Sequence, residues 1–497
     1  MRQSCLLLAL AVACGDSGPP RFDQPGLVFV TDATELPAGC VPGPVQFNVE
    51  VPIFPGTAVE PAIAADPRDP QHFCAAFQQD RIANGGAAAV IASCSFDGGH
   101  TWKRTTLPFS ACTGGSLARA TDPWVSIGPD GTVHIIALGL DGFGPAKSML
   151  AARSTDGGRT WSTPIALQAD TSEQFFMDKE TITADPNDAR FVYAVWDRFN
   201  GDTNDPTTPA PNWFTRSIDG GLSWEPPRII AQTGPSFQGI GNQIAVLPGG
   251  RLVNVFTFVD SVAVTFSLQA QVSDDHGGTW SDPIAITAER PTEVEDLKTQ
   301  KFARTGDIVP AVAVDPATGA LWVAWGDTSS EQLAAVALVR SDDGGVTWTQ
   351  PLQLPEPAGV QAFTPAVSAE GGVVGVSYYD TRDDIGVPTG LRVARWLATS
   401  DDLGQTFTEA RLSEGFDIET APNDEGFFLG DYMGLVHAGN VFTPIFVVTS
   451  PDHRTDVVFR PADSPPDKAL RATPARERAP AQVARIFRSA AWPVLGR

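Results

Sequence analysis

The sequence has 497 residues, with 34 Lys and Arg against 58 Asp and Glu and a net charge of −24. So acidic a chain disfavours nucleic-acid partners, and its length suffices for a large core or several domains. Gly (47) and Pro (42) are abundant, as expected for a chain with many turns.

Residues 1–13 read as an export signal: Arg2, then an apolar run over 5–12, too short to remain as a spanning helix. Leu10-Ala11-Val12-Ala13-Cys14 resembles a bacterial lipoprotein box, in which Cys14 is lipidated and becomes the new N-terminus. An ordinary secretory signal cut near Ala13 is the alternative. The expected location is the bacterial cell envelope or the exterior, with no membrane contact except through the anchor. Residues 14–44 are rich in Pro, Gly and Asp and read as a tether. Cys40, Cys74, Cys94 and Cys112 are an even set in an exported chain, which predicts disulfides in one of three connectivities. Cys74 and Cys94 lie symmetrically about Asn84-Gly85-Gly86, a hairpin-turn signal, so they can face each other across two strands; Cys40 with Cys112 would then follow. Free buried thiols are the alternative. Without a Cys-x-x-Cys or a His cluster, no metal site is expected. Acidic loops are compatible with Ca2+, but no segment has the spacing of a loop site, and no cofactor is expected.

From 45 to 460 the chain repeats. Ser154-Thr155-Asp156-Gly157-Gly158-Arg159-Thr160-Trp161 follows the pattern Ser-x-Asp-x-Gly-x-Thr/Ser-Trp/Phe, which occurs six times with aspartates Asp97, Asp156, Asp219, Asp275, Asp343 and Asp402. The steps are 59, 63, 56, 68 and 59 residues, a period that signals a repeat architecture. The Asp accepts turn N–H groups, the Gly supplies a backbone conformation that a Cβ would penalise, and the hydroxyls tie down the turn ends. Short β-like runs precede the copies, at 89–94, 148–153 and 334–340 for example, so each copy reads as a hairpin turn. A second signal, an apolar run, a Pro/Gly/Asp turn and another apolar run, occurs seven times; its turns include Asp66-Pro67-Arg68-Asp69-Pro70, Asp315-Pro316-Ala317-Thr318-Gly319 and His437-Ala438-Gly439-Asn440. Each turn but the last stands about thirty residues before a box. The unit is therefore four antiparallel strands, and the expected fold is an all-β propeller of such blades. Seven blades are favoured and six are the alternative. The seventh unit offers three strands, and an N-terminal strand at 45–51 is expected to supply the fourth and close the ring. Residues 461–497 carry seven Lys/Arg against three Asp/Glu and read as a disordered tail.

In an up-and-down blade the first turn and the box turn share one side. Unusual polar residues fall on the opposite side. At the starts of first strands stand Glu60, Asp122, Asp178-Lys179-Glu180, Asn242-Gln243, Arg304 with Asp307, Thr364 and Asp431-Tyr432. At the ends of second strands stand Asp80-Arg81, Asp197-Arg198, Asp260, Asp327, and Tyr378-Tyr379-Asp380 with Arg382. Such convergence at one mouth predicts a binding site there, whereas the box aspartates are scaffold.

The six boxes resemble the Asp boxes of sialidase-like β-propellers, a likeness covering roughly residues 45–460. Known sialidases have six blades. The resemblance implies an exo-glycosidase that releases terminal sialic or other acidic sugars from a glycoconjugate, acting as a monomer. It implies arginines that clamp the sugar carboxylate, a Tyr nucleophile, a Glu that takes the Tyr proton and an Asp acid/base. Carried over by position, Tyr432 is the nucleophile, Glu180 its partner and Asp80 the acid/base. Arg304, with Arg81, Arg198 and Arg382, supplies the clamp, and Asp122 and Asp431 line the substrate. The family's Arg-Ile-Pro place reads Glu60-Pro61-Ala62-Ile63 here, so an acid stands where the first clamp arginine belongs. The alternative function is a non-catalytic propeller that binds a glycan or a protein at the same mouth.

Overall fold

A computed structural model describes residues 24–31, 36, 53–461 and 470–471, apart from 142–144, 203–204, 206, 233, 235–236, 439–440 and 451–453. The signal segment with Cys14, the strand expected at 45–51, Cys40 and most of the C-terminal tail lie outside the described residues. Among the described residues the structure is strands and turns, with three short 3-10 turns and no helix long and apolar enough to cross a membrane.

Six units are antiparallel meanders of four strands. They begin with Ile53–Asp66, Arg119–Ile127, Phe175–Ala184, Phe237–Val246, Ala311–Val314 and Ala362–Glu370. The seventh runs Gly434–Ala438, Val441–Thr449 and Thr455–Phe459. First strands pack on one another in sequence, and the seventh packs back against Ile53–Asp66. The first strands other than Ala311–Val314 are largely buried because both their faces meet neighbouring units: Phe237–Val246 has no residue open to solvent.

Two segments differ from expectation. The fourth strand of the seventh unit is Val28–Phe29, from the stretch read as tether, and it pairs antiparallel with Val458 and Phe459. An unpaired outer strand exposes a row of N–H and C=O groups, and two residues of β-prone Val-Phe satisfy it. In the stretch read as tail, Leu470–Arg471 pairs with Thr408 and Glu409 at the outer edge of the sixth unit.

All six boxes carry one hydrogen-bond set. The Ser hydroxyl donates to the Asp Oδ1 and accepts the N–H of the second Gly or its equivalent. The Thr or Ser hydroxyl donates to the other Asp oxygen at 2.5–2.8 Å. These bonds hold Asp156 and Asp402 ionised, with pKa values lowered to about 2 chiefly by Thr160 and Thr406. The boxes also fasten neighbouring units. Trp161 Nε1 donates to Thr105 Oγ1 at 2.9 Å, and Trp102 meets Phe459 of the seventh unit edge-on at 5.2 Å. Cys74 and Cys94 are directly paired across two strands and form a disulfide. Cys112 is disulfide-bonded too, with a partner outside the described residues.

Candidate functional site

The side away from the boxes is built by a shared irregularity. Five first strands lose register with their partners, between Val59 and Ala62, Thr121 and Trp124, Asp178 and Thr181, Ile240 and Gln243, and Phe363 and Ala366. Each break holds a left-handed residue: Glu60 (φ 54°), Asp122 (49°), Lys179 (50°), Gly241 (68°) and Thr364 (47°). Only one of the five is Gly, and a non-Gly residue there costs on the order of 1–3 kcal/mol. A bulge of this kind re-aims side chains, and here it turns charged ones inward.

Lys179 is the hub. Its Nζ lies 2.9 Å from Asp431 Oδ2 and 3.6 Å from both Asp122 Oδ1 and Asp178 Oδ1, so it joins the second, third and seventh units. Arg304 holds Asp431 from the other side through Nε at 3.1 Å and Nη2 at 2.7 Å. Its Nη1 reaches Asp424 Oδ2 at 3.3 Å, the same oxygen that Arg81 Nη2 contacts. Glu60 Oε1 accepts the Asp431 N–H at 2.9 Å, and Gln78 donates to its other oxygen. Phe428 lies under both guanidiniums, 4.6 Å from each. It belongs to the short parallel pairing of Phe427–Phe428 with Arg304 and Ala303, which fixes Arg304 against the loop preceding the seventh unit.

The carboxyls divide into two sets. Burial disfavours ionisation of Asp431, but Arg304 and Lys179 outweigh it and hold its pKa below the usual range; Lys179 does the same for Asp122. In Asp178 burial wins over Lys179 and the pKa rises to about 6. Burial, with Asp122 and Asp431 nearby, raises Glu60. Burial, with Asp122 and Asp178 respectively, raises Glu180 and Asp197, and all four of their carboxyl oxygens lack a hydrogen-bond partner. Tyr432 is buried, donates to the Pro123 carbonyl at 3.0 Å and stands edge-on to Trp124 at 5.2 Å. Burial and then Glu60, Asp122, Glu180 and Asp431 push its pKa well up.

Of the residues expected at the mouth, Tyr432, Glu180, Asp122, Asp431, Arg304 and Arg81 come together. Arg198 and Arg382 do not join them. Arg198 forms a fork with Asp170 at 2.9 and 2.8 Å and stacks on Phe175. Arg382 is taken up by Asp380 and Glu409 and stacks on Trp396. Arg198 is taken by an acid at the end of the preceding unit's last strand, and Arg382 by acids of its own unit. Asp80 accepts from the Gly56 N–H at 2.9 Å and from Gln79 Nε2 at 2.8 Å, and so closes its own hairpin. Gln78, Arg119, Asp424 and Phe428 were not foreseen. Only Arg119 left a signal, an arginine at the start of a first strand, as Arg304 is just before one.

No protein-family model matches the chain. A curated relative, the sialidase of Micromonospora viridifaciens, is 29% identical over 231 residues, 39% of this chain and 34% of the relative. The fold is that of the sialidase-like Asp-box propellers. The matched region spans about a third of that relative's length. Three solved structures are similar to this propeller at low identity. The Hadza microbial sialidase Hz136 has a TM-score of 0.43 and 17% identity, covering 82% of this chain and 66% of that one. A protein of unknown function from Dyadobacter fermentans has a TM-score of 0.44 and 16% identity, covering 83% and 97%. A GH93 α-L-arabinofuranosidase of Fusarium graminearum, in complex with arabinobiose, has a TM-score of 0.45 and 13% identity, covering 66% and 90%.

Proposed function

We propose that this chain is a glycoside hydrolase, with its seven units closed into one ring and its substrate, the terminal sugar of a glycan, held at the mouth. The observation that carries the proposal is the split carboxyl set. Asp178, with a pKa of about 6 and a side chain 21% exposed, keeps its proton to higher pH than the ionised Asp122 and Asp431 beside it. Glycoside hydrolysis needs such a division, an acid to protonate the leaving oxygen and a carboxylate to face the developing positive charge at the sugar. Asp178 is the acid, and Asp431 and Asp122 are the stabilising carboxylates.

The sugar is an acidic one, sialic acid or a related sugar acid, because the guanidiniums of Arg81 and Arg304 match a carboxylate. A Tyr432 nucleophile is the finer form of the mechanism: the hydroxyl leaves the Pro123 carbonyl and gives its proton to Glu180, which burial favours in the neutral form and which must first release its own proton. Two variants separate the forms. With aryl glycosides of sialic, uronic and neutral sugars, Asp178→Asn lowers kcat by roughly 10²–10⁴-fold. Tyr432→Phe does likewise only if Tyr432 attacks. No turnover of any glycoside by the folded wild type would sink the enzyme reading.

A second reading is a non-catalytic glycan-binding propeller. Glu60 in the place of the first clamp arginine favours it, since a carboxyl there cannot clamp the carboxylate of a sugar acid. Saturable binding without product would establish it.

A further inference from the structure

The two arginines that point to an acidic sugar are not free, and the group that occupies them comes from this chain. Asp424 lies in the loop before the seventh unit. Its Oδ2 is shared between Arg81 Nη2 and Arg304 Nη1, while the ring of Phe428 backs both guanidiniums. Arg119 stands close enough for its charge to interact with those of Arg81 and Asp424. One carboxylate therefore sits amid guanidiniums contributed by the first unit and by the strand before the fifth, as a ligand carboxylate would sit. The clamp is also incompletely filled: Arg81 is 3% exposed, yet its Nε has no hydrogen-bond partner. A monodentate Asp424 oxygen leaves that donor unused, whereas a forked carboxylate would take it.

The Asp424 loop is held at its ends and is irregular between them. The Phe428 N–H donates to the Pro422 carbonyl and the Glu60 N–H to the Leu429 carbonyl. Between these, Glu425 (φ 60°) and Gly426 (φ 135°) adopt conformations that L side chains rarely hold. Asp424 N–H bonds only across this turn, to the Gly426 carbonyl at 2.9 Å. Exchanging one carboxylate for another conserves the charge among the arginines, so the unfavourable part of the exchange is the movement of this short loop and not the creation of an unpaired buried ion.

We infer that Asp424 is a built-in carboxylate that occupies the anion-binding place at the mouth, and that a sugar acid binds there by displacing it. The inference takes the mouth to be a sugar site, as proposed above. It makes the resting protein self-blocked toward acidic ligands. The apparent affinity for them is the intrinsic one reduced by the fraction of molecules in which Asp424 has swung out. A neutral sugar, which has no use for the arginines, is indifferent to Asp424.

The test measures binding of glucuronate, with glucose as the neutral control, to the full-length wild type and to Asp424→Asn, which keeps the side-chain shape and removes the charge. Glucuronate is expected to bind the variant at least about ten-fold more tightly than the wild type, while glucose affinity is unchanged. The gain should vanish in Asp424→Asn/Arg304→Gln. Equal glucuronate affinities in wild type and Asp424→Asn, or a gain that survives loss of Arg304, overturns the inference. If Asp424→Asn does not fold, amide exchange of the wild type decides. Saturating glucuronate should speed exchange of the Asp424 and Phe428 amides, and slower or unchanged exchange there overturns the displacement. These readouts need no turnover. A glucuronate response without hydrolysis of any glycoside would remove the enzyme reading and leave the inference standing. Hydrolysis with no effect of Asp424→Asn would do the reverse.

Discussion

The two sides of the propeller use the same residue, aspartate, in opposite ways. On the box side six aspartates sit in one hydrogen-bond set near solvent, where Thr or Ser and backbone donors favour the ionised form. On the mouth side no two units present the same acid in the same surroundings. There burial drives Glu60, Asp178, Glu180 and Asp197 toward the neutral form, while Lys179 and Arg304 hold Asp122 and Asp431 ionised. Repetition therefore marks what each unit needs to fold. The departures from it mark where the units together do something that no single unit can.

The sharpest way to break this comparison is through activity. Asp178→Asn should abolish most turnover, by about 10²–10⁴-fold, with folding intact, whereas replacing any box residue should leave kcat unchanged. Lys179→Met comes next. It leaves Asp122, Asp178 and Asp431 without their shared cation, and loss of one partner from a buried ion pair costs about 3–5 kcal/mol, readable in urea unfolding. Ser154→Ala should be milder: the hydroxyl that bridges Asp156 and the Gly158 N–H is lost, for about 1–2 kcal/mol, with activity retained.

Titration separates the sides with the smallest and most specific effect. Asp178 has its folded pKa raised to about 6, above the ordinary value of about 4. Its neutral form is favoured by folding, so its contribution is fully present below about pH 4 and is lost as pH rises through about 6. Box aspartates such as Asp156, lowered to about 2, contribute above about pH 4, and that contribution is lost as pH falls through about 2. Stability profiles of Asp178→Asn and Asp156→Asn should flatten in these two separate windows. A common window would show that the sides are not electrostatically distinct.

The repeat was legible in the sequence because each box is local: every bond in it joins residues within a few positions of one another, so spacing alone reveals it. The first strands were legible from their apolar runs. The polar residues that interrupt those runs are the ones that the bulges turn into the mouth. What was not legible depends on pairing between distant segments. Arg198 and Arg382 stood as further clamp candidates beside Arg304, and only the fold shows that Asp170 and Glu409 reach two of them while Asp424 and Asp431 reach the third. The loop carrying Asp424 has no periodic pattern. Val28–Phe29 is too short a run to stand out from the Pro- and Gly-rich stretch around it.

That short strand has a consequence for how the molecule is made. Its partners, Val458 and Phe459, stand far along the chain from it, so the last sheet cannot be completed until synthesis has passed Phe459. The earlier units can form from neighbouring segments as they appear, but sealing the seventh requires a contact between segments far apart in the sequence, the slowest kind to find. Until then the outer edge of Thr455–Phe459 is open to pairing with another chain. A truncation that removes Val28 and Phe29 would leave every box and every mouth residue in place and still yield a protein prone to join edge to edge with its copies.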